Sequence, residues 1–398
     1  MEKTKLPESP NRRALSLPSA DGSLSLYTPG PASEFAPVDG PSRSRISYAA
    51  PHVVCEPLAD YTPGLDPKLD LEGTLAFRRH LWSYGIGVAE AMDTSERGAG
   101  GLGWDETKEL IRLSVAEAKS VGGRIVCGVG DDHRPDGYAS SIKDVIKAYE
   151  EQLAFVESVG GRVVLRVSHE LARIARTADD YAKVYGSLLS QASEPAIFHW
   201  LGELFEPKMA GYWGAQDPEA ALQTVLGIAR DNRQKLDGVK FSLLDRELEV
   251  RFRRELPEGV RVYTGDDFDY TELMKGDDQG YSHGLLGVLD PIAPAAGAAF
   301  RALDEGDKER YQALMAATVP LAKRMFEPPS WRYKTGVVFL AYLNGHQDHF
   351  RMMSGQEGAR SIVHLSDLFR LADEARLLCD PELAVERMQR TLALSGVA

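Results

Sequence analysis

The chain has 398 residues, 43% hydrophobic and 26% charged, a balance that can fill a large core and excludes intrinsic disorder. A formal net charge of −13 repels phosphate backbones and anionic lipid surfaces, so a small-molecule partner is expected and nucleic acid or membrane is not. Cys55, Cys127 and Cys379 are too few and too dispersed for a disulfide framework or a paired metal motif. No apolar run approaches the roughly 18 residues of a membrane span, and the opening MEKTKLPESPNRR has no apolar signal core, so a reducing, cytoplasmic location is expected.

Residues 1–45 are rich in Pro, Ser and Gly and read as a lead-in whose short apolar pieces form at most a hairpin or an extended strap. From Ile46 onward, short apolar runs alternate with amphipathic stretches. The predicted strands are 46–57, 85–92, 124–130, 162–168, 195–201, 238–244, 260–266 and 283–289. Several intervening segments close on glycine, as helix C-caps do. Eight such β/α units predict an α/β fold, a (β/α)₈ TIM barrel over 46–305, with an open doubly wound sheet as the alternative.

Before the second helix, Gly98–Gly103 reads as a lid or turn rather than a phosphate cradle, because Trp104-Asp105-Glu106 brings carboxylates to the helix start, where Asp105 is the expected cap. Residues 306–398 predict a helical C-terminal extension, serving as a structural cap or an oligomer surface. Within it, Trp331-Arg332-Tyr333-Lys334 reads as a packed linker, the alternative being a reach over the mouth of its own or a neighbouring barrel. Asn344–His349 reads as a helix-ending turn rather than a metal site.

Barrel chemistry sits at the C-terminal strand ends. The polar residues there are Glu90 and Asp93–Ser95, Asp131–His133, Ser168–Glu170, His199 and Trp200, Lys240 and Ser242, and Asp266 and Asp267. Lys240 is the most informative, because it interrupts the apolar run DGVKFSLL with a charge that buried strands exclude. A desolvated lysine has its ammonium form disfavoured, and the free amine can attack a carbonyl to form an imine. The competing reading is structural: an exposed edge-strand lysine, or an ammonium paired with Glu90 or Asp266.

Over residues 46–325 the order of these features resembles the dihydrodipicolinate synthase and N-acetylneuraminate lyase superfamily of class I aldolases, and it is most similar to a divergent subgroup with no assigned activity. Gly238-Val239-Lys240 matches the family's G-(I/V)-K Schiff-base segment, and Gly265-Asp266-Asp267 its G-D-D. The stretch VLDPIAPAAGAAFRALDEGD, ending at Gly306-Asp307, matches its final strand, proline and helix. Two segments depart from the pattern. The carboxylate-binding G-T-T-G-E becomes Asp93-Thr94-Ser95-Glu96, and the tyrosine that relays protons from strand five is replaced by His199 within Pro195–Gly202.

The resemblance implies a carbonyl substrate, a 2-keto acid or keto-sugar, held as an imine on Lys240, with His199 moving the proton. It implies no cofactor and a homodimer or homotetramer. Thr94 and Ser95 supply donors, and Asp93, Glu90, His169, Ser242, Asp266 and Asp267 complete the expected substrate-binding set. Asp93 stands where the family has glycine, and its charge favours a neutral, polyol-like end over a carboxylate. A second reading places Glu90, His133, His169, His199 and Asp266 around a divalent metal, as in a sugar isomerase or epimerase, although no spacing such as H-E-x-x-H supports it. A third is a barrel that binds a ligand without catalysis. The cost of keeping an idle buried amine argues against that third reading.

Overall fold

A strand buried on both faces is apolar along most of its length, and the eight short runs follow that pattern apart from a few polar residues such as Glu90, His199 and Lys240. In the computed structural model, which describes residues 14–60, 68–92, 97 and 101–397, they form one closed parallel barrel. An N-terminal hairpin precedes it, made of β1 (Leu15–Pro18) and β2 (Leu24–Tyr27). The barrel strands are β3 (Ser47–Ala49), β4 (Gly87–Glu90), β5 (Ile125–Val129), β6 (Val163–Leu165), β7 (Ala196–Leu201), β8 (Leu236–Ser242), β9 (Arg261–Thr264) and β10 (His283–Leu286). Pairing of β10 with β3 closes the ring, which removes every open edge. All eight predicted strands are present, and the sheet is closed rather than open and doubly wound.

Tyr48, Ala89, Val126, Val164, Ile197, Tyr263 and Leu285, one from each of seven strands, pack together inside the barrel. In β8 the register sets Gly238 beside Ile197, Lys240 beside His199 and Ser242 beside Leu201. Register partners in a parallel sheet point the same way, so Gly238, Lys240 and Ser242 face inward with Ile197. A Cβ on Gly238 would meet the Tyr263 ring at 2.8 Å, so this glycine leaves the volume that the tyrosine fills.

The helix-terminating glycine is realised at Gly122, left-handed with φ 67°, after the helix Trp104–Val121. The N-cap of that helix is Gly103, while Asp105 lies in its first turn instead of at the cap. Beyond the eighth strand the chain is helical, with longer helices at Ala293–Asp304, Lys334–Leu343, Ile362–Glu374 and Pro381–Leu394. Asn344–His349 forms the turn after Lys334–Leu343. The hairpin joins this extension: the Tyr27 hydroxyl donates to Asp373 at 2.7 Å, Arg370 donates to the carbonyls of Leu17 and Pro18, and Leu15 and Leu17 enter the same core as the C-terminal helices. Among the described residues no helix is long and apolar enough to cross a membrane.

Candidate functional site

Lys240 lies in the upper half of the barrel lumen, its neighbours across the sheet being His199 on β7 and Tyr263 on β9. One inward step higher on β8, Ser242 Oγ lies 3.0 Å from His199 Nε2. The neighbouring strand leaves room for them. A Cβ on Gly265, which follows β9, would fall 2.0 Å from Ser242 Oγ and 3.1 Å from Lys240 Cε. Gly265 is therefore required by close approach, and any larger residue would displace the serine.

His199 is 6% exposed. Burial holds its imidazole well below the usual histidine pKa, and the positive charges of Lys240 and Arg166 push it further down. Both effects favour the unprotonated imidazole.

Arg166 follows β6, two residues beyond the inward Val164, and is 7% exposed. Its guanidinium donates to Asp132 Oδ2 at 3.0 Å, and Asp132 Oδ1 in turn accepts from Arg97 at 2.7 Å. Burial works against the charge of Asp132, but Arg166 and Arg97 outweigh it and hold the carboxyl below the usual range. Asp131 is buried and accepts hydrogen bonds from Ser168 and Tyr138, and burial raises its pKa. Sequence reasoning passed over Arg166 and Arg97, and counted Asp132 only among the strand-end polar residues without giving it a role. Arg166 had a legible signal, because it interrupts RVVLRVS as Lys240 interrupts its own strand.

A cavity of about 610 Å³ opens at the C-terminal mouth, above β5, β6 and β7. Its floor includes Gly130, Asp131, Arg166 and Leu201, while Trp331, Arg332 and Gln356 of the C-terminal extension form another wall. Lys240 is not part of the lining; Arg166, whose charge acts on His199, and Leu201, beside Ser242 in the register, connect cavity and lumen. The Trp331–Lys334 cluster thus divides. Tyr333 stacks on Phe326 at 4.3 Å and Lys334 is buried, with its ammonium on the Ala50 carbonyl, as a packed linker requires. Trp331 and Arg332 instead reach the barrel mouth, correcting the reading of the whole cluster as linker.

The expected substrate-binding residues scatter. His169 lines the cavity, with its Nε2 3.4 Å from Glu206. Glu90 is turned away from the lumen. Its inward neighbour is Ala89, and its own carboxylate takes a bidentate pair from Arg78 at 2.8 and 3.0 Å, both side chains fully buried between β4 and the helix Leu71–Ser83. Asp266 Oδ1 accepts from the amides of Phe268 and Asp269, and Asp267 Oδ1 from the amide of Val288, tying the end of β9 to that of β10. Asp93, Thr94 and Ser95 lie outside the described residues, as do residues 98–100 of the Gly98–Gly103 loop.

The five residues of the metal reading do not converge. His133 bonds Glu151 at 2.9 Å, Glu90 faces Arg78, and His199 faces Ser242. Among the described residues no group of three or more His, Cys, Asp or Glu is arranged to hold a metal ion.

The family model described as "Protein of unknown function (DUF993)" matches residues 15–397. No curated protein matches the chain in sequence. Several solved structures resemble it. A monomeric dihydrodipicolinate synthase variant has a TM-score of 0.61 at 15% identity, covering 86% of this chain and 100% of that one. The dihydrodipicolinate synthase of Thermotoga maritima has a TM-score of 0.59 at 16% identity, covering 84% and 99%. That of Bacillus clausii has a TM-score of 0.58 at 15% identity, covering 83% and 97%. At such identities the likeness is one of fold.

Proposed function

The chain belongs to the DUF993 family, its fold is that of the dihydrodipicolinate synthases, and from its site we propose that it is a class I lyase, an aldolase or dehydratase, forming an imine between Lys240 and a carbonyl substrate. The observation that carries the reading is the register pairing of Lys240 with the buried His199, whose Nε2 lies 3.0 Å from Ser242 Oγ. An inward lysine beside a buried proton acceptor is the pair that imine chemistry needs.

The amine of Lys240 adds to the carbonyl carbon, and loss of water leaves an iminium. When the bond one carbon further along breaks, its electron pair moves into the iminium to give an enamine. In an aldol cleavage the proton leaving the substrate hydroxyl goes to the Ser242–His199 pair, with Ser242 Oγ as the contact and His199 Nε2 as the acceptor. Return of a proton to the enamine and hydrolysis by water release the second product and the free lysine. In a dehydratase the Ser242–His199 pair first takes the proton from the carbon beside the iminium, the C–H electron pair forming the enamine; the enamine then expels the hydroxyl on the next carbon, which departs as water with that proton.

Arg166 keeps a positive charge near the reacting centre, which favours neutral His199 and opposes its protonation at rest. The substrate reading remains a sugar-derived carbonyl compound or a 2-keto acid, and assembly as a homodimer or homotetramer in the cytoplasm belongs to the same proposal. To test the chemistry, the full-length protein is incubated with a panel of 2-keto acids and keto-sugars, reduced with borohydride and analysed by peptide mass spectrometry. A reduced adduct on Lys240, lost in Lys240→Ala, is the expected result. Absence of an adduct with every carbonyl, together with unchanged turnover in Lys240→Arg, would refute the imine.

A further inference from the structure

A pyruvate-sized molecule would leave most of a 610 Å³ cavity to water, since volumes of roughly 300–1,000 Å³ accommodate drug-sized ligands. Its charges are unevenly committed. Asp132 is neutralised by Arg97 and Arg166, Glu170 by Arg173 and the amides of Gly137 and Ala139, and Glu206 faces His169. Asp131 accepts from Ser168 and Tyr138, and Arg134 is engaged by Glu151. Asp136 is the remaining wall carboxylate. Lys208 and Arg332 pair with no described carboxylate, although both line the cavity.

Beside Arg332, Trp331 is 45% exposed, an unusual state for the largest aromatic side chain. The segment that presents it is firmly held. Ser330 donates to the Phe326 carbonyl at 3.0 Å, Arg360 donates to the carbonyls of Glu327 and Pro329, and Tyr333 and Lys334 are buried just beyond. The backbone that carries the indole is therefore held at the barrel mouth, while the side chain stays nearly half exposed. An exposed aromatic side chain that shares a cavity lining with Arg332 and Lys208 is a surface for a carbon chain or sugar face that ends in an anion. Tyr138, His169 and Gln356 add polar atoms to the same lining.

We infer that this cavity is a specificity site for the far end of the substrate: a sugar-derived carbonyl compound carrying a carboxylate or phosphate remote from its carbonyl, with Arg332 and Lys208 as counter-charges and Trp331 as the platform. The inference rests on the imine reading for the near end, at Lys240. It assigns to the C-terminal extension a share of substrate recognition beyond capping the barrel.

The test is calorimetric binding to the full chain, without reduction, of fructose, fructose 6-phosphate, the keto-uronate fructuronate, and pyruvate. At least one anionic six-carbon compound binds ten times or more tighter than fructose, and which one does so separates a phosphate site from a carboxylate site. Arg332→Ala removes that advantage and Arg332→Lys restores part of it, while Trp331→Ala weakens the six-carbon compounds and leaves pyruvate unchanged. Circular dichroism of each variant checks the fold. Equal binding of fructose and its anionic relatives, an advantage that survives Arg332→Ala, or no binding of any six-carbon compound overturns the inference. Borohydride trapping is read separately: loss of the Lys240 adduct with Arg332-dependent binding intact refutes the imine and leaves the anion site standing.

Discussion

A base that is already neutral at the working pH does not have to be deprotonated before it acts. His199 is in that position, because burial first and then Lys240 and Arg166 lower its pKa well below the usual value. The turnover number should therefore show no inflection from this group near pH 6.5, the ordinary value. In His199→Gln it should fall by roughly 10²-fold or more, while borohydride still traps the Lys240 imine, because the amine remains and only the proton acceptor is gone. A pH profile with a limb near 6.5 that vanishes in the variant would show that His199 titrates in the working range, against this placement. At this scale Lys240 was legible from the sequence because a charge in an apolar run stands out. Arg166 stood out equally, and its importance became visible only when its neighbours Asp132, Arg97 and His199 were known.

Between elements, the strongest polar link at the rim is structural. Arg78 on the helix Leu71–Ser83 meets Glu90 on β4 with neither side chain reaching solvent. A buried pair adds little net stability over an apolar one, but breaking it leaves a charge without compensation. Glu90→Ala should cost about 3–5 kcal/mol in denaturant unfolding, and Arg78→Met with Glu90→Leu should recover much of that. A Glu90→Ala protein of unchanged stability would mean that the pair does not form as described. Alternation along the strand could have predicted this: if Ala89 faces in, Glu90 faces out. The identity of its partner could not have been read, because no local spacing links the two.

In the whole molecule, the extension is joined to the barrel by a buried aromatic and histidine group. His80 on the helix Leu71–Ser83 and His346 in the turn after Lys334–Leu343 lie 4.1 Å apart, with Phe77 and His52 against them, and His52 bonds Asp290. Burial, the largest cause for each, lowers His80 to about 4 and His346 to about 3. A histidine whose folded pKa lies below the unfolded value contributes stability that is complete above about pH 6.5 and is lost as pH falls from there toward the folded values of about 4 and about 3. Unfolding free energy should drop by of order 1 kcal/mol per histidine between pH 7 and pH 5, and the drop should shrink in His80→Phe and His346→Phe. Urea titrations at the two pH values measure it, and an equal drop in the variants would remove these histidines as its cause.

By itself the sequence determined the eight-stranded barrel, the helical extension and the lysine on the sixth barrel strand, because burial on both faces, helix periodicity and a misplaced charge are properties of adjacent residues. The tertiary structure decided which way each strand-end side chain turns and what it meets. It took Glu90 out of the lumen, set Asp266 and Asp267 to holding backbone, brought Arg166 in, and carried Trp331 and Arg332 to the mouth. Those outcomes depend on register, barrel closure and the docking of segments far apart along the chain, and no local pattern encodes such distances.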